Sequence, residues 1–284
     1  MKFIKIFLTS LCLIIASSAL ADTSKIKSDF FSSMENFLDG NFEDTDFSIK
    51  SKEGNKPEIG ILTFKPLNDT DDSLTFFQGS FFTHDGDRET LNLGFGKRIL
   101  SDDESFLFGL NAFYDHELDY DHQRASIGGE IKSSILELNT NHYFAISNEV
   151  TGKNSVKETV ADGYDLEIGA HIPYIPSAKF YTKLFEYEIP GGSDFEGIEY
   201  SSRIGIPNSG MNIETGFIDY GNNGYEDQWF FKLTYNLSKM NTDKSFISDE
   251  AFERVSMKDK KYDKVRRENL IVKSKAFAVK AGGF

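Results

Sequence analysis

From Glu43 to Ser238 apolar and polar residues alternate with a period of two, the mark of strands with one apolar face. Twelve such stretches predict strands over 43–52, 57–67, 73–83, 88–100, 105–116, 121–133, 134–146, 162–172, 177–189, 195–206, 210–220 and 226–238. Most approach the roughly 9–11 residues that a tilted strand needs to cross a bilayer. Turn residues separate them, as in Lys52-Glu53-Gly54-Asn55, Asn68-Asp69-Thr70-Asp71, His84-Asp85-Gly86-Asp87 and Pro207-Asn208-Ser209-Gly210. In the fourth stretch Leu91, Leu93 and Phe95 oppose Thr90, Asn92, Gly94, Gly96 and Arg98. In the fifth Phe106, Phe108, Leu110, Ala112 and Tyr114 oppose Leu107, Gly109, Asn111, Phe113 and Asp115. In the twelfth Trp229, Phe231, Leu233 and Tyr235 oppose Gln228, Lys232, Thr234 and Asn236, with Phe230 as an exception.

A soluble β-sandwich alternates in a similar way. Two features favour a membrane barrel: long strands in even number, and an apolar face rich in large aromatics, as lipid-facing surfaces are. Closure pairs every backbone group, which lipid demands. The fold class expected is therefore all-β, a twelve-stranded antiparallel transmembrane β-barrel of the outer membrane. Its N-terminus is expected in the periplasm, and its longest outer connection is Ser147–Ala161. Arginine should be tolerated better at Asn92 or Ser126, on the lumen face, than at Leu110 or Leu93.

The flanks depart from this pattern. Residues 1–21 have the form of a secretory signal peptide: Lys2 and Lys5, a short apolar run, and Ala19-Leu20-Ala21 as the cleavage site. In 22–42, Phe30, Phe31, Met34, Phe37 and Leu38 fall at helical spacing and predict a short periplasmic helix. Residues 22–238 carry 17 Lys and Arg against 38 Asp and Glu, a net −21, whereas residues 239–284 carry 12 against 7, a net +5. This places a boundary near Ser238, with 43–238 as the barrel and 239–284 as a basic linker or plug in the lumen. Wall acids such as Glu130, Asp165, Glu167, Glu199 and Glu214 would suit it.

Composition narrows the chemistry. The one cysteine, Cys12, lies in the signal peptide, which excludes disulfides and cysteine metal sites from the mature chain. A net charge of −14 argues against a nucleic-acid partner. No cofactor motif is present, so none is expected.

The most distinctive stretch is Asn111-Ala112-Phe113-Tyr114-Asp115, followed by Gln123-Arg124 and Glu130. Upstream stands the glycine strand with Gly94, Gly96 and Arg98, and downstream Asn141 and Tyr143. These residues resemble the translocator β-domain of the inverse autotransporters, the intimin and invasin family. The tail, with Arg266, Arg267 and Asn269, resembles that family's linker. The resemblance implies a twelve-stranded outer-membrane barrel whose linker passes through the lumen to an extracellular passenger. Outer-membrane lipid and the barrel-assembly machinery would be its partners. It implies a non-enzymatic role in secretion, with cell adhesion as a further possibility.

Two other readings stand beside it. One is a plugged or weakly conducting structural barrel without passenger. The other is a barrel hydrolase, for which Asp115, His116 and His122 near one predicted outer loop are the candidates. With Asp119 and Asp121 the same loop offers carboxylates for calcium. A solvated acidic turn explains the cluster as well, so no catalytic or metal residue is assigned.

Overall fold

The computed structural model describes residues 44–86, 88–190, 193–221, 225–237 and 246–275. These belong to one compact unit, Glu43–Phe284. The expected signal peptide with Ala19 and Ala21, and the expected helix, lie outside the described residues.

Fifteen strands run in order: β1 Thr45–Lys52, β2 Glu58–Asp69, β3 Ser73–His84, β4 Arg88–Leu100, β5 Phe106–Glu117, β6 His122–Ser133, β7 Leu136–Ala145, β8 Val150–Thr151, β9 Lys157–Val160, β10 Asp162–Ile172, β11 Ile175–Glu188, β12 Phe195–Gly205, β13 Met211–Asp219, β14 Gln228–Asn236 and β15 Lys273–Lys275. Twelve of them close a barrel in which each strand is antiparallel to its neighbours, and β1 pairs β14 from Asp46↔Asn236 to Lys52↔Phe230. β8, β9 and β15 form a separate three-stranded sheet. Among the described residues, helical structure is confined to two 3₁₀ turns, Lys153–Ser155 and Asp259–Tyr262.

The two faces divide as the alternation requires. Leu93, Phe95, Phe108, Leu110, Ile127, Trp229 and Phe231 point outward and are exposed, a surface that only lipid covers well. Arg88, Arg98, Asp115, Arg124 and Glu130 point inward and are buried. The inward glycines have a packing reason. A Cβ on Gly94 would lie 2.2 Å from the Phe113 ring, and one on Gly109 would lie 2.4 Å from a Glu130 oxygen. Glycine therefore lets the neighbouring strand's long side chain lie flat across the wall. Phe230 faces inward within a cluster of Tyr143, Phe185, Tyr187, Ile218 and Tyr220, which accounts for its break in the twelfth pattern.

Two expectations need correction. Ser147–Ala161 is not a plain connection, because it contains β8 and β9. The seventh strand starts at Leu136 rather than at 134, since Ser133 Oγ accepts the Leu136 amide and ends the turn there.

Candidate functional site in the barrel lumen

Asp44, next to β1, and Asn236, at the end of β14, mark one rim, called here the near rim. The Asn236 amide joins them at 2.8 Å. The described tail first runs along this rim, bonding to its turns in succession. The Ser248 amide donates to Tyr174 O at 2.9 Å and the Tyr174 amide to Ala251 O at 3.0 Å, at the β10/β11 turn. At the β6/β7 turn Ser134 Oγ donates to Val255 O at 2.9 Å and accepts the Val255 amide at 3.1 Å. At the β4/β5 turn the Met257 amide donates to Glu104 O at 2.9 Å. At the β2/β3 turn Lys261 Nζ donates to Asp69 at 2.9 Å and to Thr70 O at 2.6 Å. Asp69 also accepts the Tyr262 hydroxyl, and that hydrogen bond pushes the phenol up to about 12. Met257 drops into an apolar socket with Leu100 and Leu107.

The tail then meets inward-facing wall residues. Arg98 is bidentate to Glu130, at 2.6 and 3.1 Å, and donates its remaining nitrogen to the carbonyls of Lys261 and Asp263 at 2.6 and 2.5 Å. Lys264 pairs with Asp44. The Val265 amide donates to Gln78 Oε1 at 2.8 Å, and its side chain fills a second socket of Phe64, Leu74, Phe76 and Phe113. Arg266 is bidentate to Glu167, at 2.5 and 2.8 Å, and reaches Glu214 at 3.1 Å. Its guanidinium stacks 3.8 Å from the centre of the Tyr181 ring. Arg267 is bidentate to Asp115, at 2.8 and 2.7 Å, and lies over Phe113. Arg124 holds the same carboxylate at 2.8 Å and donates to Glu268 O at 2.8 Å. Tyr143 accepts the Glu268 amide at 2.8 Å and donates to Asp165 at 2.6 Å. Buried charges are tolerated only when paired in this way.

At the opposite, far rim Val272 packs against the aromatic cluster and its carbonyl accepts the Ala161 amide at 3.0 Å. β15 then pairs antiparallel with β9, from Lys273↔Val160 to Lys275↔Glu158. Below this sheet Arg88 bridges Glu117 at 2.6 Å and Glu158 at 2.6 Å, and Lys273 takes the other Glu117 oxygen. Glu117, His122 and Glu158 place ligand atoms within 4.8 Å of one another, a spacing open to a metal ion. Arg88 and Lys273 already neutralise both carboxylates, so in this arrangement the group is an ion-pair knot.

The sequence-predicted residues separate by face. Gly94, Gly96, Arg98, Asn111, Phe113, Asp115, Arg124, Glu130, Asn141 and Tyr143 all line the lumen. Asn141 donates to Asp165 at 2.7 Å and to Arg266 O at 3.1 Å. Tyr114 points outward, and Gln123 stays at the rim with its amide on Asp121 at 2.8 Å. Asn269 accepts from Arg267 at 3.5 Å. The supposed outer-loop cluster does not assemble. Asp115 and His122 face the lumen, His116 pairs with Asp121 at 2.8 Å at the rim, and Asp119 accepts the Glu89 amide at 2.8 Å. A period of two sends Asp115 and His116 to opposite faces, so the five residues do not converge on one point, and the Asp/His contact that forms is His116 with Asp121 at the rim. Tyr181 and Gln78, and the knot of Arg88, Glu117, Glu158 and Lys273, carry no motif that marks them in the sequence. For Glu117 a weaker signal exists: it lies two residues after Asp115, on the same face.

A model of the family described as "Inverse autotransporter, beta-domain" matches residues 17–269. Intimin of Escherichia coli O111:H- is 25% identical over 234 residues, 79% of this chain and 25% of that protein. Invasin of Yersinia enterocolitica is 24% identical over 177 residues, 59% of this chain and 21% of that protein. An inverse autotransporter adhesin of Escherichia coli K12 is 30% identical over 136 residues, 47% of this chain and 5% of that protein. The chain thus spans a quarter or less of the length of these relatives. Among solved structures, one from work on the in-meso crystallization of membrane proteins matches with a TM-score of 0.65 and 20% identity, covering 82% of this chain and 100% of that one. That likeness concerns the fold.

Proposed function

The chain belongs to the inverse autotransporter β-domain family, and its twelve-stranded barrel resides in the bacterial outer membrane; on that premise we propose that it is a translocator that holds its own C-terminal segment in the lumen and exports the chain beyond β15. The near rim faces the periplasm and the far rim the exterior, and the signal peptide is removed at Ala21. The observation that carries this reading is the matched charge along the path. Arg98, Arg266 and Arg267 meet wall acids or tail carbonyls at each level, and β15 pairs with β9 at the far rim. The transport itself needs no catalytic group, since folding beyond the far rim biases the movement. The wall carboxylates Asp115, Glu117, Glu130 and Glu167 are engaged by cations and are not free as acids or bases. Outer-membrane lipid and the barrel-assembly machinery are the partners, and any adhesive role belongs to the exported part.

A second reading, a static plug, draws on the same contacts, because the tail is fastened at both rims. An epitope tag after Phe284 separates the two. On intact cells the translocator reading predicts antibody labelling. Labelling only after the outer membrane is permeabilised contradicts it.

A further inference from the structure

We propose that residues 246–255 of the tail form an interfacial membrane anchor, laying Phe246, Ile247, Phe252 and Val255 into the lipid leaflet at the near rim. Every large apolar side chain in this stretch keeps two fifths or more of its surface exposed. Ile247 is 72% exposed, Phe246 46%, Val255 44% and Phe252 42%. This is not the exposure of a loose end. The backbone beside these side chains is fastened by the Ser248, Ala251 and Val255 hydrogen bonds to the β10/β11 and β6/β7 turns. A fastened segment that keeps four large apolar groups exposed is built to meet an apolar phase.

Continuity identifies that phase as lipid. The turns that carry the strap bear Tyr174 and Ile135, both exposed, and Leu136 begins the outward row of β7. Ile99 and Leu67 keep the outward face apolar to the near-rim ends of β4 and β2. The barrel's lipid-facing surface therefore extends over its own rim onto the strap. The strap also carries the exposed acids Asp249, Glu250 and Glu253 against Arg254, which pairs with Asp103 at 3.7 Å, so it would meet lipid through its apolar side chains. Lys97, between Phe95 and Ile99, has a long stem that lets its cationic head reach lipid phosphates while the stem stays among acyl chains. Aromatic side chains at this depth match the interfacial girdle of outer-membrane barrels. The inference concerns the strap alone and does not depend on whether the lumen segment is exported.

The test uses the full chain with Cys12→Ser, so that an introduced cysteine is the sole thiol. Ile247→Cys and Phe252→Cys are labelled with bimane and reconstituted into nanodiscs of phosphatidylethanolamine and phosphatidylglycerol. Leu110→Cys serves as the lipid-facing control and Asp102→Cys as the aqueous one. Lipids spin-labelled near the headgroup should quench positions 247 and 252 several-fold more than position 102. Lipids labelled deep in the acyl chain should favour position 110. If positions 247 and 252 instead match position 102, quenched by aqueous iodide and not by lipid, the anchor is wrong. If neither lipid nor iodide reaches them, protein covers the strap, and the proposal fails equally. Quenching of position 110 shows in every case that the barrel has inserted.

Discussion

Arg267 grips Asp115 with both terminal guanidinium nitrogens, at 2.8 and 2.7 Å, while Arg124 holds the same carboxylate from the wall at 2.8 Å. One acid thus sits between a cation of the tail and a cation of the barrel. Each guanidinium also lies over an aromatic ring, Arg267 on Phe113 and Arg124 on Tyr143, both at 4.3 Å. The tail is therefore registered against the wall by a shared charge, with flanking sockets for Met257, Val265 and Val272.

Removing the shared acid should cost more than removing either cation. Asp115→Ala leaves two buried guanidinium groups without it and should lower stability by about 3–5 kcal/mol, the usual cost of an unpaired buried charge. Arg267→Met leaves Asp115 paired with Arg124 and should cost clearly less. Urea unfolding in lipid vesicles orders the two, and the reverse order would contradict the shared clamp.

The inward glycines should resist enlargement. Gly94→Val places a Cβ against the Phe113 ring and should cost about 1–3 kcal/mol through overpacking. In a Phe113→Leu background the same change should cost less. A double-mutant cycle with no coupling would show that Gly94 is not there to make room for the ring.

The two faces should respond differently to a charge. Leu110→Arg, mid-strand on the lipid side, should cost about 2–4 kcal/mol. Ser48→Arg, which faces the lumen cavity beside Lys50 and Glu58, should cost far less. Equal costs in vesicles would mean that the outward face does not meet lipid.

Much of this architecture is legible in the sequence. Strict alternation in β4, β5 and β6 fixes which residues face lipid, and Asn111, Phe113 and Asp115 fall inward for that reason alone. β8 and β9 are not legible, because strands of two and four residues are too short to show a period. Their sheet is completed by β15, over one hundred residues away. Ser126 faces the lumen as its alternation requires, but that its Oγ receives Arg267 at 3.0 Å is not legible from the alternation. Alternation tells which face a residue occupies; it carries no information about the segment that crosses the lumen to meet it.

The filled lumen should conduct poorly, and an emptied one should conduct. Twelve strands enclose a wider space than the side-chain-filled interior of an eight-stranded barrel. Deleting Lys239–Phe284 should raise single-channel conductance in planar bilayers markedly. Unchanged conductance, with the truncated barrel still heat-modifiable on gels, would mean that the tail does not occlude the pore.

The contact between the Val265 amide and Gln78 Oε1, at 2.8 Å, gives a direct test of whether the tail lies inside the barrel. With Cys12→Ser, a Gln78→Cys/Val265→Cys pair in native outer membranes should be joined by a short thiol cross-linker without prior unfolding. The joined form should migrate as a closed loop on denaturing gels. If the two thiols instead stay unjoined in the folded barrel and cross-link only after denaturation, the tail does not run through the lumen.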